Sequence, residues 1–170
     1  MSLQLYFAPG ACSFVPHCLL ELSGAAFEPK MVKLHKGEQY EAAYQAINPR
    51  GQVPVLVDGD QAVTQIVAIT LYLDEKFPQS GFLPTSGMSR AKALETLAWM
   101  NNTVHPTFTH VFLPQKFSPE AGVQADIKAN AIKAYKGLMG ELHNLVAQAP
   151  RKPAIHGLAG LISGPWTLMP

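Results

Sequence analysis

The stretch VPVLVDGDQAV, residues 53–63, limits the possible folds more than any other part of this sequence. The apolar run 55–57 predicts one strand, Asp58-Gly59 predicts a tight turn, and residues 61–63 predict the returning strand. The first half of the chain therefore contains a β-hairpin.

Upstream of the hairpin, the hydrophobic period changes from that of a strand to that of a helix. Residues 3–7 alternate apolar and polar side chains, which predicts a strand. After Pro9 and Gly10, Ser13 is placed to cap a helix that ends at Gly24. The apolar face of that helix is predicted to carry Val15, Cys18, Leu19 and Leu22.

Three further elements complete the first part of the chain. Residues 27–34 predict a second strand, residues 38–49 a short helix, and the segment from Thr64 to Pro78 a longer helix. The resulting order, β-α-β-α-β-β-α, indicates an α/β arrangement.

A change of pattern divides the chain into two domains. Residues 77–88 are dense in Pro, Gly and Ser, and the residues after them have only helical periodicity. We predict an α/β domain over residues 1–78, a linker over 79–88 and a helical domain over 89–170.

Helical patterns run through the second domain. Residues 89–112 predict a helix that Pro106 should kink, just after His105. Ser-Pro-Glu at 118–120 predicts the start of another helix. Its apolar stripe consists of Ile127, Ala131, Tyr135, Leu138, Leu142 and Leu145.

Composition excludes several classes of function. A net charge of +1 without a basic run argues against nucleic-acid binding and against an anionic membrane surface. No apolar stretch is long enough to span a bilayer, and the N-terminus does not have the pattern of a signal peptide. Cys12 and Cys18 are poorly placed to bridge, and the histidines lack the spacing of metal ligands, so we expect a metal-free, cytoplasmic protein.

Three motifs in order resemble the cytosolic glutathione S-transferases, above all the bacterial beta-like class. They are PGACS at 9–13, AINPRGQVPVLVDGDQAVTQIVAITLYL at 46–73 and NNTVHPTF at 101–108. The resemblance covers residues 3 to about 147. It implies a thioredoxin-like N-terminal domain, a helical C-terminal domain, a homodimer, and glutathione as co-substrate beside a small hydrophobic electrophile.

The same resemblance implies where glutathione would bind. Val53 would precede a cis-proline and pair with the cysteinyl backbone, while the helix that begins at Gln65 and Ile66 would hold the γ-glutamyl carboxylate. Lys36 would face the glycyl carboxylate. The full set of implied glutathione contacts is Lys36, Gln52, Val53, Pro54, Gln65, Ile66 and Asn102.

Three side chains could control the sulfur of glutathione. Cys12 should have thiolate character because it lies at a helix N-terminus. Ser13 could donate its hydroxyl hydrogen to a glutathione thiolate, and His105 could serve as a hydrogen-bonding or acid/base group.

Two features depart from the family pattern. Ile66 stands where the family usually has Ser, which removes a hydroxyl donor to the carboxylate. Residues 148–170 match the family poorly. Either the family's last helices are missing from a shortened C-terminal domain, as we expect, or this tail folds differently.

The sequence leaves three functions open. The first is glutathione conjugation to small electrophiles, and the second is thiol-disulfide exchange through Cys12. The third is a non-catalytic binding role, which Ile66 and the atypical tail would favour.

Overall fold

A computed structural model of the chain describes residues 3–148. These residues divide after Leu83 into two units. The first is a mixed sheet with helices and the second is helical. The expected fold class, a thioredoxin-like α/β part followed by an all-α part, is confirmed.

The sheet of the first unit has the order β2-β1-β3-β4. Its strands are β1 (Leu3–Phe7), β2 (Phe27–Met31), β3 (Val55–Asp58) and β4 (Gln61–Thr64). β1 pairs parallel with β2 and antiparallel with β3, which pairs antiparallel with β4. Pro29 cannot donate a ladder hydrogen bond, and it is tolerated because β2 lies at the edge of the sheet.

The hairpin is offset by one residue from its predicted turn. Asp58 pairs with Gln61, so Gly59 and Asp60 form the connection. Gly59 adopts a φ of 64°, which a residue with a side chain adopts at a cost.

The helices of the first unit are α1 (Phe14–Ser23), α2 (Ala42–Gln45) and α3 (Ile66–Lys76). The helix predicted over 38–49 is instead broken into a 3-10 turn at Glu38–Tyr40 and the short α2. The break occurs because Glu41 has an extended backbone, with ψ at 146°.

The apolar face of α1 is rotated from the predicted one. Val15, Pro16, Leu19 and Leu20 are the buried residues. Leu22 is 57% exposed, so its assignment to the core was wrong, and Cys18 is only partly buried. The core face follows residues i, i+1, i+4 and i+5, which places Leu22 on the solvent side.

Strand register brings several segments to one edge of the sheet, the edge at the carboxyl end of β1. Tyr6 is paired with Val55, and Val55 is paired with Thr64. The segment after β1, the Val53-Pro54 segment before β3 and the start of α3 therefore all leave the sheet at the same edge. β2 runs parallel to β1, so the loop after β2 also leaves at this edge.

The second unit contains a helical run interrupted near its middle. Its helices are α4 (Gly87–Trp99), α5 (His105–Phe112) and α6 (Ala121–Gln148). A π-helical turn at Met100–Val104 joins α4 to α5. The irregularity ends before His105, whereas the sequence predicted a kink just after it. Pro106 lies in the first turn of α5, where its missing N–H removes a hydrogen bond to the preceding turn.

Most of the predicted stripe on α6 is confirmed. Ala131 and Leu142 are buried, and Ile127, Tyr135 and Leu138 are partly buried, whereas Leu145 is 40% exposed. None of the described helices combines the length and apolarity needed to cross a membrane. Residues 149–170, which carried the expectation of missing final helices, lie outside the described residues.

Candidate functional site

The segment before β3 is fixed by hydrogen bonds from neighbouring elements. The Val53-Pro54 peptide is cis, the isomer that the resemblance implied. The carbonyl oxygen of Gln52 accepts two hydrogen bonds of 2.7 Å, from the Tyr44 hydroxyl and from Asn48 Nδ2. The next carbonyl, that of Val53, accepts the Cys12 thiol at 3.6 Å. Two successive backbone carbonyls are thus held by side chains from elsewhere in the unit.

Sequence reasoning missed Tyr44 and Asn48. Both side chains are buried, and they lie four residues apart, which places them on one side of the short α2 and its extension. A polar residue directly before Pro49, with an aromatic hydroxyl four residues earlier, was the available signal.

The Ser13 hydroxyl forms hydrogen bonds with the backbone of its own turn. Its side chain is fully buried, with 0% exposure. The hydroxyl donates to the Ala8 carbonyl at 3.1 Å and accepts the Ala8 N–H at 3.0 Å. It makes no side-chain cap on α1. Since the single hydroxyl hydrogen is already used, this geometry favours a structural role over donation to a glutathione thiolate.

Burial of Cys12 opposes the acidity expected from its position at a helix N-terminus. Burial raises the pKa of its thiol, and the backbone N–H groups of Cys12 and Ser13 offset this only in part. The first turn of α1 offers little help, because the N–H groups of Phe14, Val15 and His17 bond the carbonyls of residues 11–13 and Pro16 has none. Desolvation thus opposes the thiolate character that the helix terminus predicts for Cys12, and that character stays a prediction.

The N-terminus of α3 is open by contrast. Ile69 is the first residue of α3 whose N–H bonds a carbonyl of the turn, that of Gln65 at 2.9 Å. Within the described part of the chain, the three earlier N–H groups, at residues 66–68, have no hydrogen-bond partner. Gln65 adopts a φ of 72°, in the left-handed region, and its exposed side chain makes no cap. Ile66 is half-buried and contributes no polar atom beyond its backbone.

Lys36 and Gln52 both present exposed side chains at the same edge of the unit. Lys36 ends a 3-10 turn at Leu34–Lys36, in the loop that follows β2. The Glu38 carboxylate accepts the Lys33 N–H and feels the charges of Lys33 and Lys36, and these contacts hold its pKa below the usual range. The positive charge of Lys36 is thus partly compensated within its own loop.

Two expected site residues belong to the second unit. Asn102 is exposed within the π-helical turn, where its Oδ1 accepts Asn101 Nδ2 at 3.1 Å. His105 opens α5 and stacks on Phe108, with ring centroids 6.2 Å apart. Burial, and then the charge of Lys116, lowers the pKa of His105, so its imidazole is neutral at pH 7.

No group of three or more metal-ligating side chains is present among residues 3–148.

Comparison with known proteins identifies the family to which the first unit is similar. Residues 1–75 match the family described as glutathione S-transferase, N-terminal domain. The chain is 35% identical over 132 residues to glutathione S-transferase GstA of Escherichia coli O157:H7, which covers 74% of this chain and 66% of that protein. It is 37% identical over 105 residues to glutathione S-transferase 1 of Dianthus caryophyllus, covering 61% of this chain and 48% of that protein.

A solved structure extends the similarity to the helical unit. A sphingomonad glutathione S-transferase complexed with glutathione superposes with a TM-score of 0.78 at 27% identity, over 96% of this chain and 81% of that chain. The chain belongs to the glutathione S-transferase family. It spans about half the length of the curated plant relative and about two thirds of the bacterial one.

Proposed function

We propose that this chain binds glutathione at the edge where β1 and β4 end and β3 begins, and joins it through its sulfur to small hydrophobic electrophiles. The observation that carries the proposal is a pair of unused backbone donor groups at that edge. One is the Val53 N–H, which has no hydrogen-bond partner within the described part of the chain, and the other is the set of N–H groups at residues 66–68.

These donors suit a peptide with a carboxylate at one end. The Val53 backbone offers a β-like pairing to the cysteinyl unit of glutathione, and Pro54 fixes the direction of that backbone. The open start of α3 offers N–H groups and a positive dipole end to the γ-glutamyl carboxylate. The exposed side chains of Lys36 and Gln52 support further contacts with glutathione, and we assign Lys36 to the glycyl carboxylate.

The chemistry needs the glutathione thiol as thiolate. Its proton passes to a base, the thiolate attacks the electrophilic carbon, and the leaving group departs with the bonding pair. The family resemblance implies His105 as the base, and its neutral imidazole, which can accept a proton, supports that assignment. The resemblance also implies Asn102 as a glutathione contact, and its side chain is exposed. Ser13 acts by holding the turn that carries Cys12.

A second candidate, thiol-disulfide exchange, is favoured by the position of Cys12. Its sulfur lies 3.6 Å from the Val53 carbonyl oxygen, beside the backbone proposed to pair with the cysteinyl unit. The Cys12 thiolate would attack a glutathione mixed disulfide, forming a Cys12-glutathione disulfide and releasing the substrate thiolate. A second glutathione thiolate would then attack that bond, restoring Cys12 and leaving glutathione disulfide.

Calorimetric titration with reduced glutathione is the first test of the proposal. Binding with one site per chain is expected, followed by acceleration of glutathione addition to an electrophilic chloroarene over the uncatalysed rate. Cys12→Ala should abolish disulfide exchange while leaving conjugation largely intact. His105→Gln should abolish conjugation while leaving disulfide exchange largely intact. A folded chain that gives no heat with glutathione would refute both functions.

Light scattering of the same sample tests the homodimer that we propose for the working protein.

A further inference from the structure

The Gln52 carbonyl of the proposed site is held by two side chains from α2 and the segment after it. The Tyr44 hydroxyl and Asn48 Nδ2 both donate to it at 2.7 Å, and both of these residues are buried. A carbonyl oxygen with two short donors has both lone pairs in use, so its direction is fixed from two sides.

Both donors are themselves held in the donating state. Burial is the main cause that raises the pKa of Tyr44 to about 12, so its hydroxyl keeps its hydrogen across the physiological range. The Tyr44 ring packs edge-on against Tyr6, with centroids 5.8 Å apart. Asn48 Oδ1 accepts the Arg50 N–H at 3.2 Å, which turns the Nδ2 end of the amide toward Gln52.

The direction of the Gln52 carbonyl determines that of the next N–H. The Gln52–Val53 peptide is planar and trans, so its C=O and N–H point to opposite sides of the chain. With the carbonyl fixed toward Tyr44 and Asn48, the Val53 N–H points away from them. Within the described residues that N–H bonds no acceptor, which is the state required of a ligand-binding donor.

We propose that Tyr44 and Asn48 are positioning residues for glutathione, which hold the Gln52–Val53 peptide plane so that the Val53 N–H faces the cysteinyl unit. They do not touch the ligand; they act through the backbone of Gln52. The inference rests on the proposed function, because it deepens the account of the same site.

Calorimetry on two tyrosine variants tests this role. Tyr44→Phe removes one of the two donors without changing the ring, and we expect the Kd for glutathione to rise about threefold to fivefold, the effect of one ordinary hydrogen bond. In steady state the KM for glutathione should rise while kcat at saturating glutathione stays unchanged. Tyr72→Phe is the matched control, because Tyr72 also donates its hydroxyl within this unit, to Asp58, away from the Gln52 segment.

A second variant and a spectroscopic reading keep the test decisive. Asn48→Ala should weaken binding at least as much as Tyr44→Phe, and thermal melting checks that each variant is folded. In 15N-labelled wild-type protein the Val53 amide resonance should shift on addition of glutathione, and in Tyr44→Phe it should already be displaced before addition. If Asn48→Ala does not fold, Tyr44→Phe alone decides.

The outcomes separate this inference from the proposed function. Weaker binding by Tyr44→Phe with wild-type binding by Tyr72→Phe supports the positioning role. Wild-type Kd and an unmoved Val53 resonance in Tyr44→Phe overturn it and leave glutathione binding standing. A wild-type chain that shows neither heat nor a Val53 shift with glutathione overturns both.

Discussion

Two helices of the first unit, α1 and α3, follow a strand directly and lack a side-chain cap, and the reason differs between them. In the turn from β1 to α1, the Ser13 hydroxyl is diverted to Ala8. In the turn from β4 to α3, the side chain of Gln65 is exposed and makes no cap, and its backbone lies in the left-handed region.

The difference decides which helix can bind an anion. The backbone N–H groups in the first turn of α1 are taken up by carbonyls of residues 11–13, whereas those at residues 66–68 have no partner in the described part of the chain. A helix terminus attracts negative charge mainly through N–H groups that are not already bonded. Cys12 therefore lies beside a closed terminus, and the proposed carboxylate site lies at an open one.

The largest effect is expected on stability, when the turn from β1 to α1 (the closed turn) loses the hydrogen bonds of Ser13. Ser13→Ala leaves the Ala8 N–H buried without its acceptor, which should lower the free energy of unfolding by about 2 kcal/mol. Urea denaturation measures the loss. Ser23→Ala is the control, because its hydroxyl also joins two backbone groups, to Leu20 and from Ala25, but in a partly buried place. Equal losses in the two variants would show that Ser13 does not lock the turn.

The second largest effect is expected on glutathione affinity, when a hydroxyl group is added to the turn from β4 to α3 (the open turn). Ile66→Ser adds a hydroxyl beside the free N–H groups of α3, and a hydrogen bond to a charged carboxylate contributes about 1.5 kcal/mol. We expect glutathione to bind about tenfold more tightly, as measured by calorimetry. Ile66→Ala removes the same apolar contacts without adding a hydroxyl and should not tighten binding. If the Ser and Ala variants bind alike, the carboxylate does not lie at α3.

The sequence predicted the elements that local pattern determines. The alternation at residues 3–7, the apolar run 55–57 and the periodicity of α6 each indicated the right element, because burial of one face leaves a repeating signal. The motif around Pro54 also carried the resemblance to the family, and that resemblance implied the cis peptide. These features depend on residues that are neighbours along the chain.

The sequence did not predict where side chains find partners across the fold. Ser13 in a helix-start pattern suggested a cap, yet its hydroxyl meets Ala8 because the turn folds back on the end of β1. Desolvation of Cys12 depends on everything packed around it, which no local pattern encodes. The contacts of Tyr44 and Asn48 with Gln52 were not predicted for the same reason, since they form only when α2 and the segment before β3 come together.

A third test concerns the thiol beside the closed turn. Because burial raises the pKa of Cys12, its thiolate fraction at neutral pH is lower than that of an unhindered thiol. Alkylation of the Cys18→Ala variant should therefore increase with pH through a midpoint above that of free cysteine. Removing Cys18 leaves Cys12 as the reacting thiol, since the chain has 2 cysteines. A midpoint below that of free cysteine would mean that α1 stabilises the thiolate after all.

The smallest effect is expected at the far end of α3, where Lys76 and Tyr72 bond Asp58 at the end of β3. The Lys76 ammonium, 2.6 Å from Asp58 Oδ2, and next the Tyr72 hydroxyl lower the pKa of Asp58. A lowered pKa stabilises the fold fully above the unfolded value of about 3.9, and the contribution is lost as the pH falls through the folded value. Because the pair is partly exposed, Lys76→Met should cost only about 0.5 kcal/mol at pH 7.

That difference should vanish in urea denaturation at a pH low enough to protonate Asp58 in the folded chain. The Kd for glutathione should not change, since the pair lies at the opposite end of α3 from the open N–H groups. A weaker Kd in Lys76→Met would mean that the hairpin contact helps to set the α3 terminus. The open turn would then depend on the whole helix rather than on residues 65–68 alone.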